Sequence, residues 1–166
     1  MSATTRGAPE ASARRYSSRR NASTAVSIDL EVPFHDVDIL NVVWHGHYCK
    51  YMELGRTALL RARQLDVQDM IGLGYRFYVG ETRIRHLYPL QYGDRFRVTS
   101  WFTEVENRIA ISYVLENVTA GKRAAVALTH LVTTDAANAL CWETPAPLLA
   151  RLRAPGPGSA GEEHPP

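Results

Sequence analysis

Residues 48–62 read Tyr48-Cys49-Lys50-Tyr51-Met52-Glu53-Leu54-Gly55-Arg56-Thr57-Ala58-Leu59-Leu60-Arg61-Ala62, and this stretch decides the fold. Tyr48, Met52, Gly55, Leu59 and Ala62 step by four and three, flanked by Tyr51, Ala58 and Leu65, which is the period of an amphipathic helix over 46–65. Gly55, Ala58 and Ala62 put small residues on the apolar face. A glycine inside a helix costs roughly 1 kcal/mol unless something packs tightly where its side chain would be. The helix is therefore expected to lie close against a sheet.

Upstream, residues 25–34 alternate strictly, with Val26, Ile28, Leu30, Val32 and Phe34 on one face and Ser27, Asp29 and Glu31 on the other, a half-buried strand. A polar, turn-prone stretch, His35 to Asn41, separates it from the helix. Downstream, a loop at 66–74 is followed by strands at 76–88, 95–105, 108–118 and 123–134, divided by Tyr92-Gly93-Asp94, Glu106-Asn107 and Ala120-Gly121-Lys122. Gly80 interrupts the first of these and marks a bulge. Short connections imply antiparallel pairing, so the order is a strand, one long helix and a four-stranded meander: a single α+β domain over 25–153. One helix is too little to cover five strands, and a second copy of the chain is expected to complete the edges or faces, as a homodimer or homotetramer.

The chain has 166 residues, 45% of them hydrophobic, enough for one domain with a real core. Residues 1–24 and 154–166 are rich in small, polar, Pro and Gly residues and read as disordered tails. The first carries five Arg against Glu10 and the second carries Glu162 and Glu163, so the domain between them holds 14 basic and 14 acidic residues and is neutral. The basic balance belongs to a tail, and no nucleic-acid-binding face is expected. No apolar run is long enough to span a membrane and none near the start resembles a secretory signal. Cys49 and Cys141 form no disulfide or metal-binding pattern, which suits a reducing cytoplasm.

Reactive side chains are densest between the first strand and the helix. Asp36, Asp38, His35, His45 and His47 fall within thirteen residues, ending at a helix N-terminus. Unpaired N–H groups and the partial positive charge there suit an oxyanion developing on a thioester or ester carbonyl. A carboxylate seven residues upstream can act as nucleophile or as general base toward water. Taken alone, Asp36 and Asp38 also fit a structural role, hydrogen-bonding turn N–H groups. His45 and His47 diverge at a helix start, and no further ligand arrives at zinc-like spacing, so no metal and no cofactor are expected. Glu53 lies away from the apolar face, where a pair with Arg56 is the default. His86 and His130 sit on strands as core or interface residues. Trp44, Tyr48, Tyr51, Tyr75, Phe77 and Tyr78 are aromatic candidates for an acyl pocket or for plain core.

The run Phe34-x-Asp36-x-Asp38-x-x-x-Val42-Val43-Trp44-His45-Gly46-x-Tyr48-x-x-Tyr51-x-Glu53-x-x-Arg56 resembles the signature of hotdog-fold acyl thioesterases of the 4-hydroxybenzoyl-CoA thioesterase type, including the relatives encoded beside Tol–Pal genes. The resemblance implies a hotdog fold, one long central helix packed on a five-stranded antiparallel sheet. It implies hydrolysis of an acyl-CoA or acyl-carrier-protein thioester at a site on a dimer interface. It places the catalytic carboxylate on Asp38 and the carbonyl-polarising N–H at His45, to which the reading of the helix start adds Gly46. Glu53 follows as a secondary catalytic or orienting residue, with Trp44, Tyr48 and Arg108 as substrate-binding candidates. Asn41 stands where the family usually has Gly, and Asn is the non-glycine residue best suited to a left-handed turn. Where relatives place a basic cluster for the nucleotide, this chain has Glu106-Asn107-Arg108, which opens a carrier protein as the thiol carrier.

Two other readings compete. A 3-hydroxyacyl thioester dehydratase would need a His before the helix and an acid about fourteen residues later, whereas His45 and Glu53 are eight apart. A non-catalytic hotdog module would bind an acyl thioester or a protein without turnover and would have no need of Asp38.

Overall fold

The computed structural model describes residues 25–154. Strand β1 (Val26–Glu31) leads through a 3-10 turn (Phe34–Asp36) into helix α1 (His47–Arg61) and a short helix α2 (Val67–Gly72). Strands β2 (Tyr75–His86), β3 (Arg95–Glu104), β4 (Ile109–Asn117) and β5 (Lys122–Asp135) follow, and helix α3 (Ala146–Arg153) closes the described chain. The strands form one antiparallel sheet in the order β1-β3-β4-β5-β2. This is the hotdog arrangement of a five-stranded antiparallel sheet on a helix.

The small-residue face of α1 explains how close the two layers come. A Cβ at Gly55 would sit 2.6 Å from Ser100 Oγ and 2.7 Å from Val98 Cγ1 on β3. Tyr48, Tyr51, Met52 and Leu59 flank this contact, buried against Phe96, Val98, Ile111, Tyr113 and Leu115. Gly55→Ala would gain about 1 kcal/mol of helix propensity. The overlap with a stiff valine should cost about 1–3 kcal/mol. We expect a net loss of about 1 kcal/mol by urea unfolding; a more stable Ala variant would mean that the helix can lift from the sheet.

Three expectations change. The helix is not one long rod over 46–65 but the 15-residue α1, with two shorter helices elsewhere. Gln64 turns left-handed at φ 55°, and Leu65 N–H donates back to Leu60 O, so the apolar period of Ala62 and Leu65 continues while the helix does not. The expected loop at 66–74 contains α2, which Asp66 and Asp69 start with a capping box. The second change is topological. β2 pairs with β5 and not with β3, so only β3-β4-β5 form a meander. The eight residues 87–94 that cross the sheet end are held by the β1–α1 loop, with Val43 N–H donating to Leu90 O and Val42 bridging Gln91. The third is Phe34. The strand ends at Glu31, and Phe34 is 74% exposed, edge-on to Tyr92.

The bulge at Gly80 is present as a register shift between Val79 and Glu81, where a Cβ would press on Val132 at 2.9 Å. β1 alternates as expected, with Val26, Ile28 and Leu30 inward. No described helix is long and apolar enough to cross a membrane. The tails expected to be disordered lie outside the described residues, apart from Ala154.

Candidate functional site

The β1–α1 loop folds as a small hairpin. Trp44 N–H donates to Asp36 O at 3.0 Å, Val37 bridges Val43, and Asp38 N–H donates to Val42 O at 2.9 Å. The turn at its tip runs from Asp38 to Asn41, whose N–H donates to Asp38 O. Asn41 sits at φ 58°, the left-handed conformation that its identity suggested. Asn41→Gly should be tolerated. A β-branched residue there pays about 1–2 kcal/mol for the same backbone, so Asn41→Val should lower the urea midpoint, and an unchanged midpoint would show that the turn rearranges.

Asp38 is partly exposed at this turn. Its Oδ1 accepts from Leu40 N–H at 2.8 Å, and Oδ2 has no hydrogen-bond partner among the described residues. The turn tip also carries Ile39, 99% exposed, and Leu40. Asp36, at the base of the hairpin, is the opposite case: its side chain is fully buried. Tyr51 Oη donates to Asp36 Oδ2 at 2.7 Å and Lys50 Nζ donates to Oδ1, while His35 Nε2 lies 3.5 Å and His47 Nε2 3.8 Å from Oδ1. Burial pushes this carboxyl up, but the hydrogen bonds from Lys50 and Tyr51 and the charges of Lys50 and His47 outweigh it, and the net shift is downward. Desolvation, with the neighbouring Asp36 charge, holds the Tyr51 phenol well above its ordinary range, so it stays a donor.

Past the hairpin the chain enters α1 through Trp44, His45 and Gly46. The N–H groups of His45 and Gly46 donate to no backbone carbonyl among the described residues. Gly46 is the N-cap of α1 and His45 the residue before it, so both donors stand at the positive end of the helix dipole although the helix itself begins at His47. The Trp44 ring folds over Gly46 so closely that a Cβ there would lie 2.0 Å from it, and it packs on His45 and His47 at 4.8 and 5.4 Å between centroids. Gly46→Ala must therefore displace the indole. We expect this to be visible as a shift in tryptophan fluorescence, and an unmoved spectrum would argue against the packing described.

A groove of about 320 Å³ opens beside this segment, lined by Val42, Val43, His45, Tyr48, His86, Leu87, Tyr88 and Pro89. His86 stands edge-on to the Tyr48 ring at 4.5 Å, and burial, then the nearby His45, lowers its pKa. The strand period alone made His86 a core or interface residue. The missing signal was the pairing of residues 42–43 with 90–91, a long-range contact that brings the end of β2 beside the helix start.

A second cavity, about 360 Å³, lies between α1, α2 and the first half of β2, lined largely by apolar residues including Leu60, Leu65, Met70, Tyr75 and Phe77. Glu53 is here, paired with Arg56, and not with His45. Arg108 is at the far end of the sheet, where its Nε donates to Glu104 at 2.8 Å. The structure thus gathers Asp38, Trp44, His45, Gly46 and Tyr48 at one end of the sheet and leaves Glu53 and Arg108 elsewhere in the same chain. His130 Nδ1 donates to Glu81 Oε2 at 2.9 Å on the outer face of the sheet.

Residues 32–153 match the family model described as the thioesterase-like superfamily. A relative from Bacillus subtilis (strain 168), "Putative acyl-CoA thioesterase YneP", is 32% identical over 76 residues, which cover 46% of this chain. The match spans only 55% of that relative's length. Among solved structures, Slr0204, a 1,4-dihydroxy-2-naphthoyl-CoA thioesterase from Synechocystis, superposes with TM-score 0.66 at 19% identity, covering 77% of this chain and 95% of its own. SAV2348 of Staphylococcus aureus, solved in complex with CoA, gives TM-score 0.70 at 16% identity over 85% of this chain and 91% of its own. These two likenesses speak to the fold, and the family match, running from the end of β1 to the end of α3, takes in the whole Asp38–Gly46 segment. The chain belongs to the thioesterase-like superfamily.

Proposed function

We propose that this protein is an acyl thioesterase that hydrolyses an acyl-CoA thioester to a free acid and a thiol without a bound cofactor. The observation that carries the reading is the short hairpin in which Asp38 pairs with Val42 and Asp36 with Trp44, so that a carboxylate with an unbonded oxygen lies on the same rigid segment that leads into the unbonded N–H groups of His45 and Gly46. Asp38 either deprotonates the attacking water or attacks the carbonyl itself, expelling thiolate to leave an acyl–aspartyl anhydride that water then hydrolyses, and the two N–H groups with the α1 dipole stabilise the oxyanion. The thiolate is a good leaving group, so one carboxylate and a preorganised oxyanion site are chemically sufficient. The groove beside His45 and Tyr48 receives the thioester, with the Trp44 ring packed on His45.

The partner is a second copy of the chain. β2 is an edge strand with Tyr78 and Val79 exposed, and edge strands need covering. Antiparallel pairing of two such strands sets the Tyr75 end of one against the His86 end of the other. The cavity holding Glu53 in one copy then faces the groove of its partner, which is how Glu53 would come to orient substrate. Arg108 is the candidate contact for the carrier's phosphates. A named CoA thioesterase relative favours CoA, and an acyl carrier protein remains the competing carrier.

The test is thiol release from short, long and aromatic acyl thioesters on both CoA and carrier protein, with enoyl formation followed on a 3-hydroxyacyl thioester. Thiol release on at least one acyl-CoA is expected. Enoyl formation without thiol would instead favour the dehydratase.

A further inference from the structure

Asp36 does more in this structure than a turn residue requires. It is fully buried, yet it bonds in three directions. Its carbonyl accepts from Trp44 N–H, immediately before the His45 and Gly46 donors. Its carboxylate accepts from Lys50 and Tyr51, on the first turns of α1 just after them. Two residues on, Asp38 begins the turn at the hairpin tip. The segment 44–51 is therefore pinned at both ends to one residue, and that residue is two positions from the proposed catalytic carboxylate.

We infer that Asp36 is a positioning residue for hydrolysis, holding the His45 and Gly46 N–H groups and the Asp38 carboxylate in one fixed arrangement through its bonds to Trp44, Lys50 and Tyr51. The inference rests on the thioesterase reading above. Reaction in a preorganised site is steep in geometry: a displacement of about 1 Å can cost about 100-fold in rate. Asp36 does not reach substrate. Its burial behind Tyr51 and Lys50 keeps it out of the groove lined by His45 and His86.

The experiment compares wild type, Asp36→Asn, Tyr51→Phe and Asp38→Asn on the best substrate of the panel, well below each melting temperature, reading kcat and KM separately. Exchange of the Trp44 amide hydrogen is read beside that of Ile111 in β4. Asp36→Asn is expected to lower kcat about 100-fold with KM within about threefold, and to speed Trp44 exchange at least about tenfold beyond the acceleration that the loss of global stability gives Ile111. Tyr51→Phe, which leaves the Lys50 bond in place, is expected to lower kcat about tenfold. It decides the matter if Asp36→Asn does not fold. Folded variants with wild-type kcat, beside an inactive Asp38→Asn, would overturn the positioning role and leave the thioesterase reading standing. A wild type that releases no thiol from any substrate would overturn both.

Discussion

Asp38→Asn is expected to lower kcat about 1,000-fold while KM and the melting temperature stay close to wild type. The structural side of Asp38 survives the change. Its Oδ1 accepts from Leu40 N–H, and its main chain bonds to Val42 and Asn41. An asparagine oxygen can accept the same bond, and Asn is at home in such turns. What disappears is the negative charge and basicity of the second oxygen, which has no other partner among the described residues. The orphan N–H groups of His45 and Gly46 remain, so residual activity above the uncatalysed rate should persist. Stopped-flow thiol detection with circular dichroism on the same samples checks this. Near-normal kcat in a folded Asp38→Asn protein would remove Asp38 from the mechanism.

The second large effect is on stability against acid and concerns Asp36. Removing its charge leaves Lys50 without its partner, but Lys50 is half-exposed and can rehydrate. We therefore expect Asp36→Asn to cost about 2 kcal/mol at pH 7, below the roughly 3–5 kcal/mol of a fully buried broken pair. The sign with pH follows from the downward shift of the Asp36 carboxyl in the folded protein. Its contribution is fully present above the unfolded carboxylate value near 3.9 and is lost as pH falls through the lower folded-state value. Urea midpoints measured from pH 6 to pH 3 should show wild type losing stability below about pH 4, with the gap to Asp36→Asn closing over the same window. A gap that stays constant to pH 3 would mean that Asp36 contributes by shape and not by charge.

Local periodicity carried much of the fold. The alternation of Val26, Ile28 and Leu30 gave β1, and the small face around Gly55 gave the close approach of α1 to Val98 and Ser100. The Asp38–Asn41 turn followed from residue types that favour it. Features settled by contacts distant in sequence were not legible. Nothing local says that β2 pairs with β5, because its pairing depends on residues 87–94 crossing the sheet end against Val42 and Val43. The same contact brings His86 beside Tyr48. The helix stop at Gln64 was hidden because the apolar period runs on to Leu65, which is buried for reasons of tertiary packing. The burial of Asp36 was hidden too, since a carboxylate in a turn is ordinarily exposed, and only the arrival of Lys50 and Tyr51 from α1 makes burial tolerable.

The central claim is that this site adds water to a thioester, and product analysis in water labelled with heavy oxygen tests it most directly. Purified protein with its best acyl-CoA, over many turnovers, should form free thiol and free acid mole for mole, with heavy oxygen in the acid carboxyl. Tight binding of acyl-CoA with neither product formed would contradict the account and leave a binding module in its place.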